Sequence, residues 1–298
     1  MIDRISTLQY LGSKSRMLDY ICTPVIDDPS IHQVIDLFAG TGVVGYALSP
    51  YKSIISNDIE YYSFVINEAI LNGCMFSNAE LNNLFETITK NVQPVEKYLC
   101  EEIAAENQYL SSSIESYEEY ARFSRETPSV FRFETELPVF KNLKTLVQMV
   151  TPGNKEQDVP FPCLFVTYFS NAYFGIRQCC EIDSIISTIN GLKDERQRYV
   201  LLAALMTAAS ATASATTHFA QYLTVKSKST FKNIKEKRGT SIVSLFKDSI
   251  DRFKEKGLLE KPNRMHTCYN LDYEECLKRI DADEHTLVYA DPPYFKEH

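Results

Sequence analysis

The first ordered hydrophobic pattern is His32-Gln33-Val34-Ile35-Asp36-Leu37-Phe38, an apolar run without alternation. That is the pattern of a parallel strand covered on both faces. A glycine-rich turn follows at once, then a short apolar segment from Val43 to Leu48, a second strand at Ser53 to Ser56, and an amphipathic helix from Tyr61 to Leu71. Strand, glycine turn, helix, strand is the opening of a doubly wound α/β sheet. From about Asn72 to Leu259 the pattern becomes helical with polar loops, for example at Leu81 to Val92, Tyr98 to Arg125 and Arg196 to Ser214. Strand character returns at Met265 to Tyr269 and Thr286 to Ala290. The expected organisation is therefore a sheet domain built from residues 1–72 and 260–298, with a large, mostly helical insertion at 73–259.

Composition agrees with a globular chain. Of 298 residues, 44% are hydrophobic and 23% charged, which excludes wholesale disorder and a coiled-coil rod. The formal charge of −8 argues against indiscriminate binding to nucleic acid or anionic membrane, so any anionic partner needs a local basic patch. Residues Glu101 to Glu136 hold nine acids against three bases, whereas Lys226 to Arg238 hold six bases against Glu236 alone. The eight cysteines contain no C-x-x-C pair and no zinc-type Cys/His spacing, as expected of reduced thiols in a cytoplasmic protein. Met1-Ile2-Asp3-Arg4 lacks the basic segment and long apolar run of a secretory signal, and the small-apolar stretch Tyr199 to Ala209 is too short to span a bilayer, so neither export nor membrane insertion is expected.

Asp36-Leu37-Phe38-Ala39-Gly40-Thr41-Gly42-Val43-Val44-Gly45 satisfies G-x-G-x-x-G between a strand and a helix. The glycines let backbone approach a ligand closely, but the pattern alone serves several adenosine-containing ligands, and a turn without any ligand fits it too. Two carboxylates narrow the choice. Asp58, 22 residues beyond Asp36, ends the second strand where it can accept hydrogen bonds from both ribose hydroxyls. It can also cap the helix at Tyr61. Asp36 heads the turn, where a pyrophosphate would be repelled and an amino group attracted. The preferred ligand is one with a cationic amino-acid end, S-adenosylmethionine.

Val288-Tyr289-Ala290-Asp291-Pro292-Pro293-Tyr294 places a rigid tetrad directly after an apolar strand. At the carboxyl end of a sheet strand, the Asp291 carboxylate and the Pro292 carbonyl can each accept one N–H of an exocyclic amine. That favours the tetrahedral nitrogen needed for attack on a sulfonium methyl. Tyr294 can stack on a base extruded from the duplex. A plain proline-rich turn is the ordinary alternative.

Together these motifs resemble the DNA adenine-N6 methyltransferases of the D12 class, in which the cofactor motif precedes the catalytic tetrad. Tyr10-Leu11-Gly12-Ser13-Lys14 looks like that family's N-terminal cofactor motif, Asp36 to Gly42 matches D-x-F-x-G-x-G through Phe38, Gly40 and Gly42, and Asp291 to Tyr294 matches the tetrad. The resemblance implies a Rossmann-like, S-adenosylmethionine-dependent sheet, with Tyr10 and Lys14 near the methionine end and Asp272, in Asn270-Leu271-Asp272, reaching the adenine amine. A helix cap at Asp272 is the simpler alternative. The resemblance also implies target recognition by the long insertion. Tyr168 to Gln178 looks similar to an aromatic, asparagine-containing segment of some members, and equally suits an aromatic core.

The expected activity is site-specific methylation of adenine N6 on a flipped-out base of double-stranded DNA, in a restriction-modification or phage system. Lys226, Lys228, Lys232, Lys235 and Arg238, interleaved with polar residues, are expected to form a phosphate-contacting loop, the bland alternative being a solvated surface loop. The family continues beyond the tetrad with further strands, whereas only Phe295-Lys296-Glu297-His298 follow here. The sheet is thus expected to be incomplete at its C-terminal end, the chain to be a fragment, a truncated gene product or half of a split enzyme, and its open edge to seek a complementing C-terminal chain; the alternative to the methyltransferase is a catalytically incomplete chain that only binds cofactor or DNA.

Overall fold

The computed structural model describes residues 4–5, 8, 14–151, 159, 161–215, 221–260 and 266–292. Its sheet is parallel and four-stranded: β1 (Gln33–Asp36), β2 (Ser53–Asn57), β3 (Thr267–Tyr269) and β4 (Thr286–Tyr289), in the order β3-β2-β1-β4. Chain order therefore reverses at β1, flanked by β2 on one side and β4 on the other. The registers bring Asp36 beside Ser56 and beside Tyr289. Val34, Ile35 and Ile54 are fully buried, as the unbroken apolar runs require. The first strand is shorter than the apolar run because Leu37 and Phe38 already belong to the turn.

Helices α1 (Leu18–Asp27), α2 (Val43–Leu48) and α3 (Tyr61–Asn67) accompany the first two strands. The helix expected over 61–71 changes character at Asn67 and continues as a π-helical turn, Glu68–Asn72. Such turns redirect side chains, and here Asn67 spends its amide on the glycine turn.

The helical stretch comprises α4 (Asn78–Tyr98), α5 (Cys100–Ser111), α6 (Tyr117–Glu126), α7 (Lys141–Val150), α8 (Leu164–Phe169), α9 (Ile176–Asn190), α10 (Glu195–Thr212), α11 (Lys228–Arg238) and α12 (Ile242–Glu255). A last helix, α13 (Tyr273–Arg279), precedes β4. The single helical segment expected from Tyr98 to Arg125 is broken between α5 and α6. Ser111-Ser112-Ser113 interrupts it, because serine side chains hydrogen-bond nearby backbone in place of helix bonds, as the Ser112 hydroxyl does to the Tyr109 carbonyl.

Contacts divide the chain into two compact units, one of residues 1–76, 193–207 and 250–298, the other of residues 77–192 and 208–249. In the second unit, buried carboxylates cap the amino ends of other helices: Glu102 accepts from Leu143 at α7, Asp183 from Phe165 and Val166 at α8, Glu106 from Ile176 at α9, and Glu181 from Ile242 and Val243 at α12. Part of the acid surplus read from the sequence is thus internal. No helix among the described residues is long and apolar enough to cross a membrane.

Candidate active site

The carboxyl ends of all four strands are laced together. Leu37 donates its N–H to the Tyr289 carbonyl (3.0 Å), Ala39 to the Asn57 carbonyl (2.9 Å) and Asp58 to the Tyr269 carbonyl (3.3 Å). The Asn57 amide donates to the carbonyls of Leu37 and Leu271 and accepts from the Leu271 N–H. Asn270 donates to the carbonyls of Asp58 and Ile59. One buried asparagine and one exposed one therefore hold the loops after β1, β2 and β3 in register.

The glycine turn is a built element. Gly40 and Gly42 have φ of 54° and 72°, left-handed values that strain any L side chain. At Gly42 a Cβ would also meet Asn67 Oδ1 at 2.5 Å and Ile70 Cδ1 at 2.7 Å. The Gly40 carbonyl accepts from Ser63 Oγ (2.6 Å) and Asn67 Nδ2 (3.2 Å), and Ser56 Oγ donates to Asn67 Oδ1 (2.7 Å). This Ser56–Asn67–Ser63 network was not read from the sequence. Its signal is faint, a serine and an asparagine at i and i+4 on an apolar helix.

Asp36, Asp58 and Asp291 converge on this edge. Asp36 is 2% exposed, and burial pushes its carboxyl up to about 7, with the charges of Asp58 and Asp291 adding to the rise and a bond from the Gly45 N–H opposing it. Cys22 of α1 faces the same group, its thiol pushed up to about 11 by burial, then by Asp36 and Asp19. Asp58 accepts from the Gly40 N–H (2.8 Å) and the Glu60 N–H (3.0 Å). It thereby supports the turn and the start of α3, and each oxygen keeps a further lone pair. Lys14, which opens a 3-10 turn before α1, places Nζ 2.5 Å from Asp291 Oδ2, with the two side chains 20% and 23% exposed.

Other predicted residues fall differently. Phe38 packs against Tyr273 at a ring separation of 5.7 Å and against the Ile35, Leu37 and Ile55 cluster. Asp272 is exposed and caps α13 through the Glu274 N–H (2.9 Å), so the simpler alternative describes its contact. Pro292 is exposed, while Tyr10 and Tyr294 lie outside the described residues. The basic run is not a loop. From Lys228 to Arg238 it is helix α11, capped by Ser227 and preceded by Lys226, because Phe231 and Ile234 bury one face of it. Lys226, Lys228 and Lys232 are exposed, with Lys228 paired to Glu115. Lys235 is half-buried and donates to the Ser112 carbonyl. Arg238 is 3% exposed and donates to Tyr120, Asn171 and the Ala172 carbonyl, which removes it from any solvent-facing phosphate surface. Asn171, in the aromatic segment, has a φ of 55° and serves this interior network.

No solved structure matches the chain. Curated relatives do, over parts of it. The chain is 31% identical to the type II methyltransferase M.NlaIII of Neisseria lactamica over 111 residues, which are 35% of this chain and 33% of that protein. It is 36% identical to the type II methyltransferase M.CviAII of Paramecium bursaria Chlorella virus 1 over 87 residues, 28% of this chain and 26% of the relative. It is 42% identical to the modification methylase LlaI of Lactococcus lactis subsp. lactis over 66 residues, 22% of this chain and 10% of the relative. The match thus spans a third or less of each relative's length. Over residues 10–134, which include Lys14, the glycine turn and Asp58, the chain matches the family of D12 class N6 adenine-specific DNA methyltransferases, the family its motifs resemble.

Proposed function

We propose that this protein transfers the methyl group of S-adenosylmethionine to adenine N6 in double-stranded DNA. The observation that carries the reading is the convergence of Asp36, Lys14 and Asp291 at the carboxyl edge of one parallel sheet, where chain order reverses at β1. That strand order supports a Rossmann-like, doubly wound sheet, with the helical stretch as an insertion for target recognition.

The acids at the edge fit a cationic ligand: Asp36 is buried among like charges and gains by pairing to an ammonium or sulfonium group. When bound, S-adenosylmethionine supplies a methyl group activated by the positive sulfur. Asp36 would hold its cationic end, Asp58 its ribose and Lys14 its carboxylate, while Gly40 and Gly42 keep the turn free of side chains. Asp291 and the Pro292 carbonyl accept the two N–H bonds of the target amine. This directs the nitrogen lone pair towards the methyl and disperses the positive charge that nitrogen acquires. Tyr294 is assigned to stacking on the extruded base. Lys226, exposed just before α11, and Lys232, exposed on it, are assigned to phosphates, with Lys228 available once it leaves Glu115. The names of the relatives, type II methyltransferase and modification methylase, support a restriction-modification setting.

The test offers tritiated S-adenosylmethionine and mixed-sequence duplex DNA to the protein and to Asp291→Ala. Label should enter adenine, and the substitution should lower transfer by about a hundredfold or more while cofactor binding by calorimetry persists. Transfer that survives the substitution would overturn the assignment. Binding without transfer by the unaltered protein would mark a binding module.

A further inference from the structure

We propose that five aromatic side chains of the second unit, Phe131, Tyr168, Phe169, Tyr173 and Tyr222, form a stacking surface for DNA bases left unpaired where the duplex is opened locally. This rests on the DNA reading given above, and names the part of that partner the second unit takes, bases as well as phosphates. The rings form one unbroken series of contacts. Phe131 meets Tyr168 edge-on at 5.6 Å between centroids, Tyr168 meets Phe169 at 6.1 Å, Phe169 meets Tyr173 at 6.1 Å, and Tyr173 meets Tyr222 at 5.7 Å. Both ends of the series reach solvent, Phe131 at 81% exposure and Tyr222 at 43%. Exposed aromatic side chains scattered singly are ordinary, whereas a contiguous series marks a contact surface. Phe131 is the clearest case. It stands in a tight turn closed by reciprocal backbone bonds between Ser129 and Arg132 (2.8 Å each), where glycine, asparagine or aspartate is the usual choice. An exposed phenylalanine there serves neither the turn nor a core.

The rings are held from beneath by polar contacts. The Val130 N–H donates to the Thr167 carbonyl, and the Arg132 guanidinium donates to the carbonyls of Ser124 and Thr127, which fixes the turn against α6 and α8. Asn171, left-handed with a φ of 55°, accepts from Tyr120 and Arg238 and donates to Thr127 Oγ1, while its carbonyl accepts from Ser124 Oγ. The Ser214 N–H donates to the Tyr173 carbonyl and the Leu223 N–H to the Ser214 carbonyl (2.7 Å each), which brings Tyr222 alongside. A strained residue held by this many partners is characteristic of a functional segment. Rings fixed in advance also lose little freedom on stacking. Arg238 ends α11, the helix that carries Lys232, so the rings and a lysine assigned to phosphate share one support. Charge fits the same partner. Arg122 engages Glu126 and Glu136 at 2.7 and 3.3 Å, so the segment around Phe131 presents Arg125 and Arg132 against Glu134. Every nucleobase has a π-face, so such a surface takes a base without reading its identity.

The experiment measures, by fluorescence anisotropy at one salt concentration, the affinity of the full chain for two labelled duplexes of one sequence. One carries a single unpaired thymine, the other an abasic spacer at the same place, so backbone flexibility is matched and only the base differs. The parent should bind the thymine duplex about tenfold more tightly. Phe131→Tyr should keep that ratio, Phe131→Ala should lower it severalfold, and Phe131→Ala combined with Tyr222→Ala should bring it to one, with the thermal midpoint close to the parent's. A ratio of one in the parent, or the full ratio in Phe131→Ala, overturns the proposal, while methyl transfer to DNA reports separately on the reading it rests on. Self-association of the parent that is lost in Phe131→Ala, with no preference for the thymine duplex, gives the rings to a protein contact and overturns the proposal as well. Absence of both DNA binding and methyl transfer overturns the reading and the proposal with it.

Discussion

Asp36 ties stability to pH and, through the proposed function, to ligand binding. Burial holds its carboxyl near 7, well above its ordinary value. The folded state therefore keeps a proton that the unfolded chain has released. The favourable contribution of the neutral acid is complete below about pH 4, declines as pH rises, and is gone above about pH 7. Asp36→Asn, which cannot ionise, should match the parent near pH 4 and be more stable at pH 8 by up to about 4 kcal/mol, measured by denaturant unfolding. Equal stability at pH 8 would refute a buried, charge-penalised Asp36. The proposed ligand needs the ionised form, so S-adenosylmethionine affinity should rise as pH passes upward through about 7, with one proton released. Calorimetry in buffers of different ionisation enthalpy reads that proton directly. The acids at this edge were legible because each ends or closely follows an apolar strand. Asn57, Ser63 and Asn67 were not, because an amide or hydroxyl reveals its role only when a carbonyl from a distant loop stands opposite it.

At the level of elements, α11 separates what charge counting merges. The six bases between Lys226 and Arg238 look alike in sequence, yet Arg238 is interior and Lys232 is exposed. Arg238→Met should destabilise the protein by about 3 kcal/mol, since it takes a charged donor from Tyr120 and Asn171, which keep the bond between them, and leaves Glu106 buried with less compensation. Lys232→Ala should leave the thermal midpoint unchanged and weaken DNA binding. Thermal unfolding of the two variants checks this, and a stable Arg238→Met would contradict the interior role. The same distinction explains the acid-rich stretch. Glu102 and Glu106 cap other helices, whereas Glu115 and Glu118 remain at the surface. Helix periodicity showed that helices exist here. It could not show which faces meet, and the serines that split 98–125 act through local hydrogen bonds that do not disturb hydrophobic spacing.

For the whole molecule, the net charge of −8 and the basic helix make opposite demands on the proposed DNA binding, and its salt dependence decides between them. With Lys226, Lys228 and Lys232 as the exposed cations of the run, log affinity should fall against log salt with a slope of roughly −3, since each phosphate contact contributes about −0.9. Fluorescence anisotropy of a labelled duplex measures it, and a slope near zero would remove α11 from the interface. The sequence by itself determined the strand, turn and helix that open the chain, the acids that follow strands, and the return of strand character before Asp291, because those depend on local periodicity and on backbone preferences of glycine and proline. Only the tertiary structure decided that β4 lies against β1, that Lys14 meets Asp291, and that Arg238 is buried. Those outcomes depend on which distant surfaces exclude water from one another, and short-range patterning carries no record of that choice.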